Sequence, residues 1–215
     1  WRNLVDMHIP DWHEDFLADF SPGQYAANMR LAKVDAALLY SGNCLGICFW
    51  PTKAGHMHAG LEGADIVGPT LDLLQESKIN TLVYFNIWSR WAFDNNPDWR
   101  LVRQNGSHTT ENPDGSPSRF GQCCLNSVGY QEYVKLQIKD LADSYSFSGA
   151  WLDMLGWFGT VCYCADCRRR YHAETGREIP TVLDWYDPDW VSFQRKREQW
   201  MLEFAMMVRE TLIAV

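Results

Sequence analysis

The sequence predicts a parallel α/β fold: four βα units in series, the N-terminal half of a (β/α)8 TIM barrel. Three observations lead there. Strand-like and helix-like segments alternate from one end of the 215 residues to the other, which implies a parallel sheet with helices packed on its faces. The fourth strand is apolar almost throughout and closes on an acid. Neither a GxGxxG nor a P-loop supports the competing open, nucleotide-binding sheet.

The elements follow in order. Asn3–Ile9 reads as a first strand leading into a polar loop. Ser21-Pro22-Gly23-Gln24 is a capping box with proline at the first helical position, and its helix runs to about Lys33. Val34–Tyr40 is a second strand. Ile66–Ser77 is a second helix with Val67, Leu71 and Leu74 on one face. Thr81–Ile87 is a third strand. The polar stretch 94–121, rich in Asn, Gly, Pro and Ser, is too long for an idle connection and reads as a functional loop. Tyr130–Tyr145 is a third helix, Ser148–Met154 a fourth strand, and Trp190–Val215 a final helix beyond a cysteine-rich loop. A complete barrel needs eight such units and about 250 residues. Half a barrel would leave two sheet edges unpaired, so residues 1–215 are expected to be the N-terminal part of one barrel domain in a longer polypeptide.

Composition narrows the function. A net charge of −8 and no basic run argue against nucleic acid and anionic membranes as partners. No apolar stretch approaches the roughly 18 residues of a membrane span. The chain begins with Trp1, so the lack of a signal peptide decides nothing about export. Eleven Trp, nine Tyr and ten Phe point toward carbohydrate, because aromatic faces stack on the C–H faces of sugar rings. Many of these rings must nonetheless be core. A homo-oligomer is compatible with the sequence but not specified by it.

In parallel α/β folds, chemistry collects at the C-terminal ends of the strands. Strand one ends with Asp6 and His8, and the turn after strand two carries Asn43, Cys44 and Trp50. Strand three ends with Asn86, Trp88 and Trp91, and strand four with Asp153, followed by Trp157. An acid closing an apolar strand is costly to desolvate unless it faces a polar pocket. Asp153 is therefore the expected catalytic carboxylate, and the others are expected to bind or wall a sugar. The plainer alternatives are that Asp153 caps a loop or pairs with an arginine, and that His8 is structural.

Gln137–Asp153 (QIKDLADSYSFSGAWLD) resembles the α-L-fucosidase pattern of a helix, a Tyr and a strand ending in Trp/Phe-x-Asp. That resemblance implies a glycoside hydrolase, exo-acting and retaining, with Asp153 as nucleophile. Asn43–Pro51 (NCLGICFWP) resembles the fucosidase segment that reads roughly His-His-Asp-Gly-Phe-Cys-Leu-Trp, but Asn43 and Cys44 stand where that family carries its sugar-binding histidine pair. Retention needs a second carboxyl group about 5–5.5 Å from the first. That group is expected on a later strand or loop beyond Val215, with Glu111 in the long loop as the internal candidate.

Cys162, Cys164 and Cys167 lie within six positions, with Cys123 and Cys124 upstream. Three clustered thiols plus a distant fourth suit a tetrahedral zinc site; free thiols, a disulfide or a redox device are the alternatives. Cys124-Leu125-Asn126-Ser127, the following helix and the later CYCADC together resemble the zinc-bearing segment of family 42 β-galactosidases. That resemblance implies Cys124, Cys162, Cys164 and Cys167 as ligands, with Cys123 as a substitute for Cys124 and His172 as another fourth ligand. A closed four-thiolate site would be structural, and no organic cofactor is implied. Those galactosidases end strand four with Asn-Glu, whereas this chain has Leu152-Asp153-Met154. The combination resembles a group of bacterial barrel hydrolases carrying both features. A β-galactosidase-like hydrolase and a non-catalytic carbohydrate-binding barrel are the competing readings. Reduced thiols favour the cytoplasm, although zinc-bound thiols survive outside it.

Overall fold

The computed structural model describes residues 1–13, 15–108, 119–157 and 160–214. The elements are β1 (Arg2–Leu4), α1 (Pro22–Leu31), β2 (Ala36–Tyr40), β3 (Ile47–Cys48), β4 (His56–Met57), α2 (Val67–Glu76), β5 (Asn80–Asn86), α3 (Arg90–Asn95), α4 (Val128–Ser144), β6 (Gly149–Asp153), α5 (Ala165–Thr175) and α6 (Pro188–Ile213). Strands β1, β2, β5 and β6 form one sheet in that order, parallel at every junction. This is the arrangement of four consecutive βα units of a TIM barrel, as the alternating pattern predicts.

Strand alternation divides the sheet into two faces. Ala37, Leu39, Thr81, Val83 and Phe85 are buried on the convex side, where the helices pack. Helix α1 buries Tyr25, Ala26 and Met29; α2 buries Val67, Leu71 and Leu74; α4 buries Tyr130, Tyr133, Val134, Ile138 and Leu141. Helix α6 lies against α4 and buries Trp190, Phe193, Trp200, Phe204 and Val208. The opposite, concave face carries Leu4, Leu38, Leu82 and Trp151 below Tyr40, Tyr84 and Asp153. Leu4 and Trp151 are about half exposed there, at 51% and 54%.

Local chemistry explains the boundaries. Ser21 Oγ caps α1 by accepting from the Gln24 amide, but Gln24 bonds Asn28 with its own side chain, so only half of the capping box forms. Strand β1 stops at Leu4 because Asp6 accepts from the His8 amide and Ile9 N–H bonds Met7 O, a local turn that competes with the sheet ladder. Helix α6 begins at Pro188, capped by Asp187. Four elements were not expected: α3, the strands β3 and β4 that pair as a parallel ribbon, and α5, which occupies part of the presumed cysteine loop. Among the described residues no helix is long and apolar enough to cross a membrane.

Candidate active site and cysteine cluster

The concave face of the sheet lines a cavity of about 460 Å³ that runs from Arg2, Ala36 and Leu82 up to Tyr40, Tyr84 and Asp153 at the C-terminal ends of the strands. Asp6, His8, Tyr40, Tyr84 and Asp153 all line it. Asp153 is the last residue of β6 and stands opposite Asn86 in register. The backbone then turns sharply: Met154 has a φ of +53°, a region that non-glycine residues rarely enter and that often marks functional sites. The Tyr84 hydroxyl donates to Asp153 Oδ2 at 2.5 Å. Among the described residues no lysine or arginine forms an ion pair with Asp153.

Asp6 and His8 reach the same cavity from the first strand's end. Tyr40 donates to Asp6 Oδ1 at 3.2 Å. His8 Nδ1 accepts from the Cys44 amide at 3.2 Å, which leaves Nε2 3.7 Å from Asp6. Its imidazole lies edge-on to Tyr40 and Tyr84, which stack with centroids 3.8 Å apart and planes at 8°. Burial pushes both phenols well above the usual tyrosine range, so they stay neutral donors near neutral pH. Sequence reasoning missed these two tyrosines. The signal was available: Tyr84 is two positions before Asn86 and therefore shares its face, and Tyr40 closes the second strand.

The other expected sugar contacts do not line this cavity, although Asn86 Oδ1 lies 3.4 Å from the Tyr84 hydroxyl. Asn43 is fully buried, and its amide is consumed by the main chain: Nδ2 donates to Ile9 O at 2.6 Å, while Oδ1 accepts from Leu45 and Ile47 at 2.9 and 3.1 Å. It closes a loop. Trp50 is buried, bonding Asp140 on α4, so it belongs to the core behind the sheet. Trp157 is buried beneath the Arg197 guanidinium. Trp91 is sandwiched between His56 and Tyr133, and His56 in turn contacts Asp11. Asn86 is buried and donates to Trp88 O. Trp88 bonds Gly156 O and abuts Phe120, tying the loops after β5 and β6 together. None of these six lines the Asp153 cavity. The physical reason is shared: a fold of this size needs large rings and saturated amides in its interior as much as at its mouth. Glu111 lies outside the described residues.

The expected thiol quartet does converge. The ligand atoms of Cys124, Cys162, Cys164 and Cys167 all lie within 4.8 Å of one another, and all four residues are buried. In a tetrahedron with metal–sulfur bonds of about 2.3 Å, sulfurs sit roughly 3.8 Å apart, so this grouping is of the size that one ion requires. The donors are thiols that a metal readily deprotonates. Hydrogen bonds from Cys124, Cys162 and Cys167 hold the Cys164 thiol far below its ordinary range, and Cys164 occupies the N-cap position of α5 without a side-chain capping bond. Asn126 donates to the sulfurs of Cys124 and Cys167 through its main chain and side chain. Cys123 is buried but lies outside the quartet, and His172 is exposed on α5.

A family profile described as hypothetical glycosyl hydrolase 6 matches residues 21–154, a span that ends one residue after Asp153. No curated protein sequence matches the chain. Among solved structures, α-L-fucosidase isoenzyme 2 from Paenibacillus thiaminolyticus superposes with a TM-score of 0.81 at 19% identity, covering 100% of this chain and 30% of that one. The PgaB (BpsB) glycoside hydrolase domain from Bordetella bronchiseptica gives 0.69 at 15% identity, over 89% of this chain and 54% of that one. A hypothetical protein from Ruminiclostridium thermocellum gives 0.57 at 10% identity, over 89% and 85%. The chain thus spans only about a third to a half of the two glycosidase structures, and at these identities the likeness is one of fold.

Proposed function

Because this chain belongs to the hypothetical glycosyl hydrolase 6 family, we propose that residues 1–215 are part of one barrel domain of a retaining, exo-acting, α-L-fucosidase-like glycosidase whose nucleophile is Asp153. The observation that carries the reading is the setting of that carboxylate. It closes a strand at the C-terminal rim, lines the cavity of the concave face, and is met by a phenol rather than a cation. A guanidinium clamp would spend the carboxylate on structure. A single neutral donor leaves one oxygen open toward an anomeric carbon.

In the proposed reaction Asp153 attacks the anomeric carbon as a second carboxyl group protonates the departing oxygen. Water then hydrolyses the resulting ester with that second group acting as base. Asp6 and His8 are assigned to sugar hydroxyls, since both line the cavity and both are already oriented by Tyr40 and the Cys44 amide. The proton donor is assigned outside the described residues, with Glu111 as the candidate in this chain. Cys124, Cys162, Cys164 and Cys167 are assigned to one zinc ion. When bound, it would tie the segment between β6 and α5 to the start of α4 without an open position for water.

The test is a panel of nitrophenyl glycosides offered to the full-length protein, with Asp153→Asn and Asp153→Gly beside it. Turnover should fall at least about 10³-fold in both, with the fold intact by circular dichroism. Added azide should restore product from Asp153→Gly as a glycosyl azide. Unchanged turnover in Asp153→Asn sinks the assignment. Sugar binding without turnover in the unaltered protein would instead identify a carbohydrate-binding barrel.

A further inference from the structure

Tyr40 and Tyr84 are directly paired across β2 and β5, and their rings stack nearly parallel over the apolar floor. Each hydroxyl ends on a different cavity carboxylate. Tyr84 reaches diagonally to Asp153, whose register partner is Asn86, two residues beyond Tyr84 on the same face. Tyr40 reaches Asp6, the position that continues the β1–β2 register beyond Leu4. The two carboxylates are thus the termini of one stacked pair, with His8 closing its open edge.

Such an arrangement restricts Asp153 in a defined way. A carboxylate at a strand end rotates about its second side-chain torsion, a broad and roughly two-fold well. A hydrogen bond to Oδ2 restricts that freedom and decides which oxygen is free. The ring that makes the bond is itself fixed, because both tyrosines are almost fully buried at 2% exposure and the stack leaves neither room to swing. We propose that Tyr84 is a positioning residue that holds Asp153 by Oδ2 and presents Oδ1 to the substrate, and that Tyr40, anchored on Asp6, holds Tyr84 in place. The inference rests on the reading of Asp153 as nucleophile.

Tyr84→Phe and Tyr40→Phe keep the stack and delete one hydroxyl each, so both should fold. In the full-length protein, with the best-cleaved nitrophenyl glycoside, Tyr84→Phe should lower kcat roughly 10- to 100-fold and leave KM within about threefold. Tyr40→Phe should cost less. The double variant should have a kcat no lower than that of Tyr84→Phe alone, because the Tyr40 hydroxyl acts on Asp153 only by holding Tyr84. A downfield, slowly exchanging hydroxyl proton should be visible by NMR, vanish in Tyr84→Phe and move in Asp153→Asn whether or not a substrate is known.

A purely structural tyrosine would lower the melting temperature or raise KM without that kcat loss. Wild-type kcat in Tyr84→Phe, multiplicative losses in the double variant, or no such proton would each overturn the inference. An inactive Asp153→Asn beside a fully active Tyr84→Phe removes the inference alone. A fully active Asp153→Asn removes the nucleophile reading and the inference with it.

Discussion

The sulfurs of Cys124 and Cys167 lie 3.3 Å apart although 43 residues separate them in sequence. One precedes α4 and the other lies in the first turn of α5, so the contact joins the helix before the fourth barrel strand to the helix after it. Four buried thiols in mutual contact gain little as free thiols. Bound to one ion they would cross-link two βα units.

The purified protein should therefore carry about one zinc per chain. Cys164→Ala should lose it and lower the melting temperature by about 4–8 °C, corresponding to about 2 kcal/mol at this size. Asn126→Ala should retain the four ligands yet weaken zinc binding roughly 10- to 100-fold, since it removes the side-chain donor to Cys167 and the acceptor for Arg170. Metal analysis by mass spectrometry and chelator competition would read both. A metal-free native protein would refute the assignment.

The parts of the site that could be read from the residues are those where a pattern has one cheap physical solution. An apolar run that ends in Asp153 must open onto something polar, and CxCxxC with a distant fourth Cys must either bind or bury its thiols. The tryptophans had no such constraint. Trp50 and Trp157 sit at strand-end positions in sequence, but the same ring serves equally well against α4 or beneath Arg197. Helix α5 escaped for another reason: its ADCRRRYHAET face buries only Cys167 and Tyr171, too few apolar positions for a periodic signal. Tyr40 and Tyr84 were legible through strand phase alone.

Asn43 illustrates how a loop amide can imitate a ligand contact. Its three bonds to Ile9, Leu45 and Ile47 leave nothing for a sugar. Asn43→Ala should cost about 2–3 kcal/mol, the scale expected when buried main-chain groups lose their partner, as measured by urea denaturation. KM should stay unchanged for the molecules that remain folded. A raised KM with normal stability would return Asn43 to the binding site.

Gly46 sets how closely the loop after β2 approaches α3. Its φ is +76°, and a Cβ there would fall 2.0 Å from Ser89 Oγ and 2.8 Å from Ser89 Cα. Ser89 cannot retreat freely, because its hydroxyl caps α3 by accepting from the Ala92 amide at 3.0 Å. Gly46→Ala should therefore destabilise by about 3 kcal/mol, combining left-handed backbone strain with the clash. Adding Ser89→Gly should recover only part of the loss, since the close contact with the Cα of residue 89 and the strained φ remain and the α3 cap is gone. Full recovery in the double variant would show that steric contact alone selects glycine here, and no loss in Gly46→Ala would show that the two loops are not packed as described.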